Sequence, residues 1–469
     1  MEVQFSAQEY TSDDRFITSQ YLFKGSVDSQ WEIFRNGSLY LRLGKGYELL
    51  KTKICGICAT DLSRRFLPFP LPQIIGHELL ATHPKNGKVY AVEINDTSLA
   101  RGEGPYDSFI RSGLATHSPE RMVLGIDRLP GGFGPYVLVP KNAMVEIGDL
   151  NPYTAVLLEP FAAALQALYA NPPKDNMVLA VLGPRRLGTL VIAALDMYRN
   201  ITGSKYNIVA LSRHDALLNL SKNVGADEGI NLLHLDVESL KDKYNIVYDT
   251  SGSPDGFELA VKMAKDEVHL KSTNGQEMLG LKHLTELVVD EMSLLPYSES
   301  GLNFHWEEES VNERIYLAPG VQNFLELKAK KVYSTSISGA ESILDETEFA
   351  DRLPRFDLGI ASSLEEIDKL IRPSKKHENS LIRPRGAILF KGEAGTNPLL
   401  QFLQSGGRLR TSRCGDFHKA LDLLKKNPET VESLSRYMIS DKYRADQLNE
   451  AFKKARSKEA IKVVLEHFL

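Results

Sequence analysis

The sequence predicts an α/β protein in two parts, a mostly β domain followed by a doubly wound parallel-sheet domain that carries an inserted α/β segment. Three observations predict it. Trp31 to Val139 is rich in short β-prone runs broken by turn signals, and beyond Val178 continuous apolar strands alternate with helical stretches. From about 298 a polar, acidic stretch, His305-Trp306-Glu307-Glu308-Glu309, precedes a further strand-helix-strand pattern.

In the first part, Asn36-Gly37 and Gly44-Lys45-Gly46 punctuate the runs Leu39 to Leu43 and Glu48 to Ile54, which reads as hairpins. Pro130-Gly131-Gly132 and the run from Tyr136 to Val139 repeat the theme. At Pro152 the period changes, with Ala155, Leu158, Ala162, Leu165 and Leu168 at helical spacing. Strands at Val178 to Leu182, Ile208 to Leu211, Ile246 to Asp249 and Val268 to Leu270 then alternate with helices at Leu187 to Tyr198, Ala216 to Val224 and Asp255 to Lys265. Apolar strands of that kind belong to a parallel sheet covered on both faces. Later, the strand-like run from Phe356, the helix Leu364 to Ile371 and the strand Arg385 to Phe390 echo Tyr244 to Ser253, its helix and Val268 to Leu270, through a duplication or through convergent patterning. The tail closes with a helix carrying Leu448, Ala451, Phe452 and Ala455, and a strand from Ala460.

Of 469 residues, 42% are hydrophobic and 25% charged, the composition of a globular protein. With 56 basic against 61 acidic residues the net charge is −5, so no polybasic field points to nucleic acid or to an anionic membrane. The first fifteen residues carry four acidic side chains and resemble no secretory leader, and Tyr153 to Ala170 is too interrupted to span a bilayer. The expected location is the cytoplasm. Three cysteines, Cys55, Cys58 and Cys414, suit a reducing compartment and a thiol site better than a disulfide framework.

Three elements could assemble a metal site: Cys58 on a loop of the β part, His77-Glu78 nineteen residues on, and Glu159 at the start of a helix. Zinc accepts thiolate, imidazole and carboxylate, and a catalytic ion keeps three protein ligands with a fourth position open. The stretch Gly56-Ile57-Cys58-Ala59-Thr60-Asp61-Leu62, then Gly76-His77-Glu78 and Leu158-Glu159-Pro160, resembles the medium-chain zinc-dependent alcohol dehydrogenase superfamily, in its polyol and threonine dehydrogenase branch. Gly132-Phe133-Gly134-Pro135-Tyr136-Val137, Val224-Gly225-Ala226-Asp227 and Ser412-Arg413-Cys414-Gly415 agree in order, so the resemblance covers about 30 to 297 and 408 to 469.

That resemblance implies a GroES-like catalytic domain over 1–165 and 430–469, and a Rossmann cofactor domain over 166–429 interrupted at about 298–407. It implies one catalytic zinc on Cys58 and His77, with Glu78 or Glu159 as third ligand, and Thr60 as the hydroxyl that passes a proton outward. Cys55 falls outside the ligand position and reads as structural. Where the family often has a histidine to complete the relay, this chain has Ser63. The lobe Asn95 to Pro119, which in the family holds four cysteines, has none, so no structural zinc is expected. Relatives pair through the edge of the cofactor-domain sheet, and here the insertion lies just beside Val288 to Leu295, where it covers or extends that edge. A homo-oligomer therefore stays open.

For the cofactor, the strand Val178 to Leu182 runs into Gly183-Pro184-Arg185-Arg186-Leu187-Gly188, the context of a dinucleotide fingerprint. Gly183 makes the turn and Gly188 allows close helix-strand packing, but Arg185 replaces the middle glycine. At the end of the next strand Ser212-Arg213 stands where an acidic residue would bind the ribose of NAD. A guanidinium suits a 2′-phosphate, so NADP is expected over NAD. The expected function is zinc-dependent hydride transfer between NADP(H) and a small-molecule alcohol, ketone or polyol-like substrate. The alternative is a dehydrogenase-like scaffold, catalytically altered at Arg185 and Ser63, that serves as a binding or regulatory subunit.

Overall fold

The computed structural model describes residues 1–104, 107–299, 312–321, 329–346, 355–374 and 379–467. The acidic stretch His305 to Glu309 lies outside the described residues. Contacts divide the chain into two compact units, Met1–Ala162 with Gly415–Leu469, and Ala163–Cys414. The return to the first unit thus falls at Gly415, ahead of the expected 430, because the helices Phe417–Lys425 and Pro428–Tyr437 pack within that unit. Among the described residues no helix is long and apolar enough to cross a membrane.

The first unit is mostly β. A four-stranded antiparallel meander, Glu2–Tyr10, Phe16–Lys24, Trp31–Arg35 and Ser38–Leu43, opens the chain. Its inward side chains, Phe5, Tyr21 and Phe23, cluster edge-on and stacked with Tyr136, while Tyr10 and Phe16 meet Phe452 of the C-terminal helix Leu448–Ala455. A second, seven-stranded sheet is centred on Tyr47–Gly56, which pairs antiparallel with Glu78–Thr82 on one side and with Lys462–Glu466 on the other. Gly56 faces Glu78 in one ladder and Val464 in the other. That register gathers the ends of three strands, Cys58 just beyond one and His77 just before another.

The lobe between Asn95 and Pro119 is held by polar side chains. Asp96 accepts from Tyr47 and Arg101, Asp107 caps the helix Ser108–Arg111 and accepts from Ser118, and Arg121 donates to Asn95.

The second unit is one eleven-stranded sheet with helices. We number its strands β1 (Val178–Leu182), β2 (Asn207–Ser212), β3 (Glu228–Asn231), β4 (Tyr244–Asp249), β5 (Ala264–Leu270), β6 (Ser293–Pro296), β7 (Asn312–Leu317), β8 (Ala329–Ser334), β9 (Phe356–Ala361), β10 (Ile382–Phe390) and β11 (Arg408–Thr411). Its helices are α1 (Leu187–Thr202), α2 (Asp215–Asn223), α3 (Pro254–Met263), α4 (Leu284–Val289), α5 (Ile337–Glu346), α6 (Leu364–Ile371) and α7 (Pro398–Gln404). The spatial order is β3-β2-β1-β4-β5-β11-β6-β10-β9-β7-β8. β3 to β11 form a parallel doubly wound sheet, whose continuous apolar runs, such as Leu179 to Leu182, are buried on both faces.

Candidate active site

Two clusters of sequence-expected residues form, one in each unit. In the first, the ligand atoms of Cys58, His77 and Glu78 all lie within 4.8 Å of one another, and among the described residues this is the group that metal-ligand geometry singles out. Cys58 is the N-cap of the short helix Ala59–Leu62, and Asp61 in that helix turns its carboxylate back onto the backbone N–H of Cys58 at 2.8 Å. The same carboxylate accepts from the N–H of Gly76 at 3.2 Å and lies 3.2 Å from Nδ1 of His77. One buried aspartate therefore ties both ligand-bearing loops together and stands beside the imidazole. Burial works against a charged His77, but Asp61 and Cys58 outweigh it and hold the imidazole well above its usual range. A divalent ion would take the place of that proton, so this donor set fits zinc.

Glu78 has another partner. Lys462 Nζ reaches both of its carboxylate oxygens, at 2.8 and 2.5 Å, with both side chains buried. A Cβ on Gly56 would stand 2.4 Å from Glu78 Oε2, so only glycine leaves this carboxylate its place. Glu159, in the first turn of the helix Leu158–Ala170, is buried beside the cluster. Burial pushes its carboxyl up to about 7, with His77 and Lys462 pulling it down and Glu78 pushing it further up.

Thr60 is half-buried with its hydroxyl 3.8 Å from Cys58 Sγ. Ser63, at the other end of the short helix, is exposed. Cys55 is fully buried, its thiol pushed up by burial, and Gly132 and Gly76 leave room for its sulfur. Sequence reasoning quoted Asp61 without giving it a role and missed Lys462. The signals were a carboxylate three residues after the ligand cysteine and a lysine set in the apolar run Ala460 to Leu465.

In the second unit, Leu182 lies opposite Leu211 of β2 and Asp249 of β4, so the ends of β1, β2 and β4 form one edge at the point where strand order reverses. Gly183 turns there with φ +78°, and a Cβ on Gly188 would stand 2.5 Å from Thr250 Oγ1. Thr250 Oγ1 lies 2.9 Å from the carbonyls of Leu182 and Gly183, and Thr189 Oγ1 donates to the carbonyl of Pro184. The loop carbonyls are thus turned inward, and α1 opens at Arg186 without a side-chain cap. A helix start of this kind receives anions. Arg185 and Arg186 sit half-buried in the loop with Leu187, and burial lowers the Arg185 guanidinium, as does Arg186. Ser212 is buried with its hydroxyl accepting from the N–H of His214, while Arg213 is exposed.

No family model matches the chain. L-galactonate-5-dehydrogenase of Escherichia coli is 28% identical over 169 residues, 33% of this chain and 47% of that protein. Starvation-sensing protein RspB of Escherichia coli is 30% identical over 195 residues, 39% and 54% of the two chains. The chain spans about half the length of these curated relatives. Among solved structures, RspB of Escherichia coli complexed with NADH aligns with a TM-score of 0.56 at 16% identity, over 99% of both chains. A zinc-binding dehydrogenase of Sinorhizobium meliloti bound to NADP gives 0.55 at 15%, over 98% of this chain and 99% of that one.

Proposed function

We propose that this chain, similar in sequence to zinc-type dehydrogenases over part of its length and to such enzymes in fold, is an oxidoreductase of the medium-chain superfamily that moves a hydride between NADP(H) and a small secondary alcohol, ketone or polyol. The observation that carries the reading is the convergence of Cys58, His77 and Glu78 on one point, backed by Asp61. Cys58, His77 and one carboxylate would hold a single zinc, which when bound supplies Lewis-acid polarisation of the substrate oxygen. The third position falls to Glu78, whose oxygen lies within 4.8 Å of the other two ligand atoms, or to Glu159, since Lys462 also engages both oxygens of Glu78. Thr60 takes the substrate proton outward, and the exposed Ser63 hands it to water.

On the cofactor side, Gly183, Gly188 and the start of α1 receive the pyrophosphate, with Arg185 and Arg186 pairing with it. Arg213 takes the 2′-phosphate, which favours NADP over NAD. The cysteine usage supports a reducing compartment such as the cytoplasm.

Elemental analysis of the purified protein, paired with a panel of secondary alcohols and polyols assayed with NADP, tests the proposal. Zinc is expected, and Cys58→Ser should remove both metal and turnover; retention of both sinks the reading. The arginine in the fingerprint loop supports a second reading, a regulatory scaffold. Fluorescence titration with NADPH separates the two, because absent binding selects the scaffold.

A further inference from the structure

The sheet of the second unit is two half-sheets of opposite direction. From β3 to β11 every neighbouring pair is parallel, and from β6 to β8 every pair is parallel again, while β11 and β6 meet antiparallel at Leu409 and Leu294. Counted outward from that seam, one half reads β11-β5-β4-β1-β2-β3 and the other β6-β10-β9-β7-β8.

The lists are six and five strands long, and they match in their connections near the seam. Inside each half, the second and third strands from the seam are joined by a serine-capped helix: Ser253 caps α3 between β4 and β5, and Ser363 caps α6 between β9 and β10. A lysine follows each second strand, and the N–H of Lys271 donates to the carbonyl of Asp249 as that of Lys391 does to Ala361. Each half then continues through one helix to a strand at the seam.

Those last strands are exchanged. β5 leads through α4 to β6, which pairs with β10 of the other half; β10 leads through α7 to β11, which pairs with β5. The crossing is fastened by Thr411 Oγ1, which reaches the carbonyls of Leu287 and Met292, by Glu291, which accepts from the N–H of Arg413 and from Arg385, and by Asp368 of α6, which accepts from the N–H groups of Lys282 and His283.

We infer that the inserted segment is a second, incomplete copy of the cofactor half-sheet, and that it takes the place a second subunit would otherwise occupy against the β11 edge. An open sheet ending at β11 would present a row of unpaired N–H and C=O groups, a template for pairing with another chain. Here that row is met by β6 from the same chain, and the exchange of edge strands makes neither half complete alone. In the copy eleven residues, 318 to 328, separate β7 from β8, against twenty-four between β1 and β2. Its contribution is to close the edge rather than to bind a second cofactor. The inference does not depend on the proposed activity, because it rests on strand order, strand direction and the connections between strands.

Light scattering and amide hydrogen exchange on the full chain test it. The amides of Ser293 to Leu295 and Arg408 to Thr411 should exchange slowly, with protection unchanged on roughly hundredfold dilution, because the pairing is intramolecular. A mass of 52.3 kDa with this protection supports the inference, as does a larger assembly whose protection at these strands ignores dilution, since it is built on another face. Protection that disappears on dilution would show that the seam is formed between two chains, and unprotected strands in the monomer would show that it is not formed; either overturns the inference.

Discussion

Lys462 Nζ lies 2.8 Å from one carboxylate oxygen of Glu78 and 2.5 Å from the other, and solvent reaches neither side chain. The two residues stand on strands that flank Tyr47–Gly56 from opposite sides, so the whole width of that strand pairing is needed to bring them together. A buried ion pair of this kind is costly to break from one side only. Lys462→Met should destabilise the protein by about 3–5 kcal/mol at neutral pH, the range for leaving a buried charge without its partner. Urea unfolding measures it. Adding Glu78→Gln to Lys462→Met should restore most of the loss, since the orphaned charge is then gone. A double variant no more stable than Lys462→Met alone would mean that packing, not charge, sets the cost.

Asp61 is expected to act on metal affinity through His77. Its carboxylate orients the imidazole from behind and holds both ligand loops by their backbone. Replacement by Asn keeps the shape but removes the charge that faces Nδ1. Outer-sphere carboxylates of this kind are worth roughly 10–100-fold in metal affinity. Asp61→Asn should therefore give up zinc to a competing chelator at correspondingly lower concentrations while its unfolding midpoint changes little. An unaltered competition curve would reduce Asp61 to a loop staple.

At the end of β2 the cofactor choice is expected to reside in Arg213. The residue is exposed beside the buried Ser212, free to fold over a phosphate and able to form a bidentate pair with it. Arg213→Ala should raise the KM for NADP at least tenfold, the equivalent of about 1.4 kcal/mol, and leave that for NAD nearly unchanged. Equal changes for both cofactors would remove the assignment.

The parts of the fold that were legible in the sequence are those where burial is uniform along an element. β1 and α6 coincide with their expected runs because Val178 to Leu182 is apolar throughout and Leu364 to Ile371 keeps strict helical spacing. The N-terminal strands escaped notice because their buried face includes Glu9, which is satisfied by Ser19, Tyr21 and Arg35, partners supplied by later strands. Ile439–Arg444 hid for a related reason: a half-exposed edge strand reading Ile-Ser-Asp-Lys-Tyr-Arg has too little apolar content to announce itself. In the site, the ligand types were visible at their spacing, whereas the partner of Lys462 was not, since Glu78 lies 384 residues away and only the strand pairing brings the two together. The exchange of β6 and β11 was equally hidden, because Ser-Leu-Leu-Pro and Arg-Leu-Arg-Thr are four-residue strands whose sequences do not say which half they pair with.

A pH dependence of stability should be traceable to Glu93, which sits between Val89–Val92 and Asn95–Asp96 and is largely buried. Burial raises its carboxyl from the usual 4.5 to about 7, opposed by a hydrogen bond with Asn95 and helped by the charge of Asp416. Its native pKa exceeds its unfolded one, so the folded state binds the extra proton. The stability from that proton is fully present below about pH 4.5 and is lost as pH rises through 7. At pH 8 the ionised carboxylate costs on the order of 3 kcal/mol. Glu93→Gln, which stays neutral, should leave the urea midpoint unchanged near pH 4.5 and raise it at pH 8, so the difference between variant and parent grows with pH. A difference that is flat across that window would mean that Glu93 keeps its charge in the native state with a partner or water at its side.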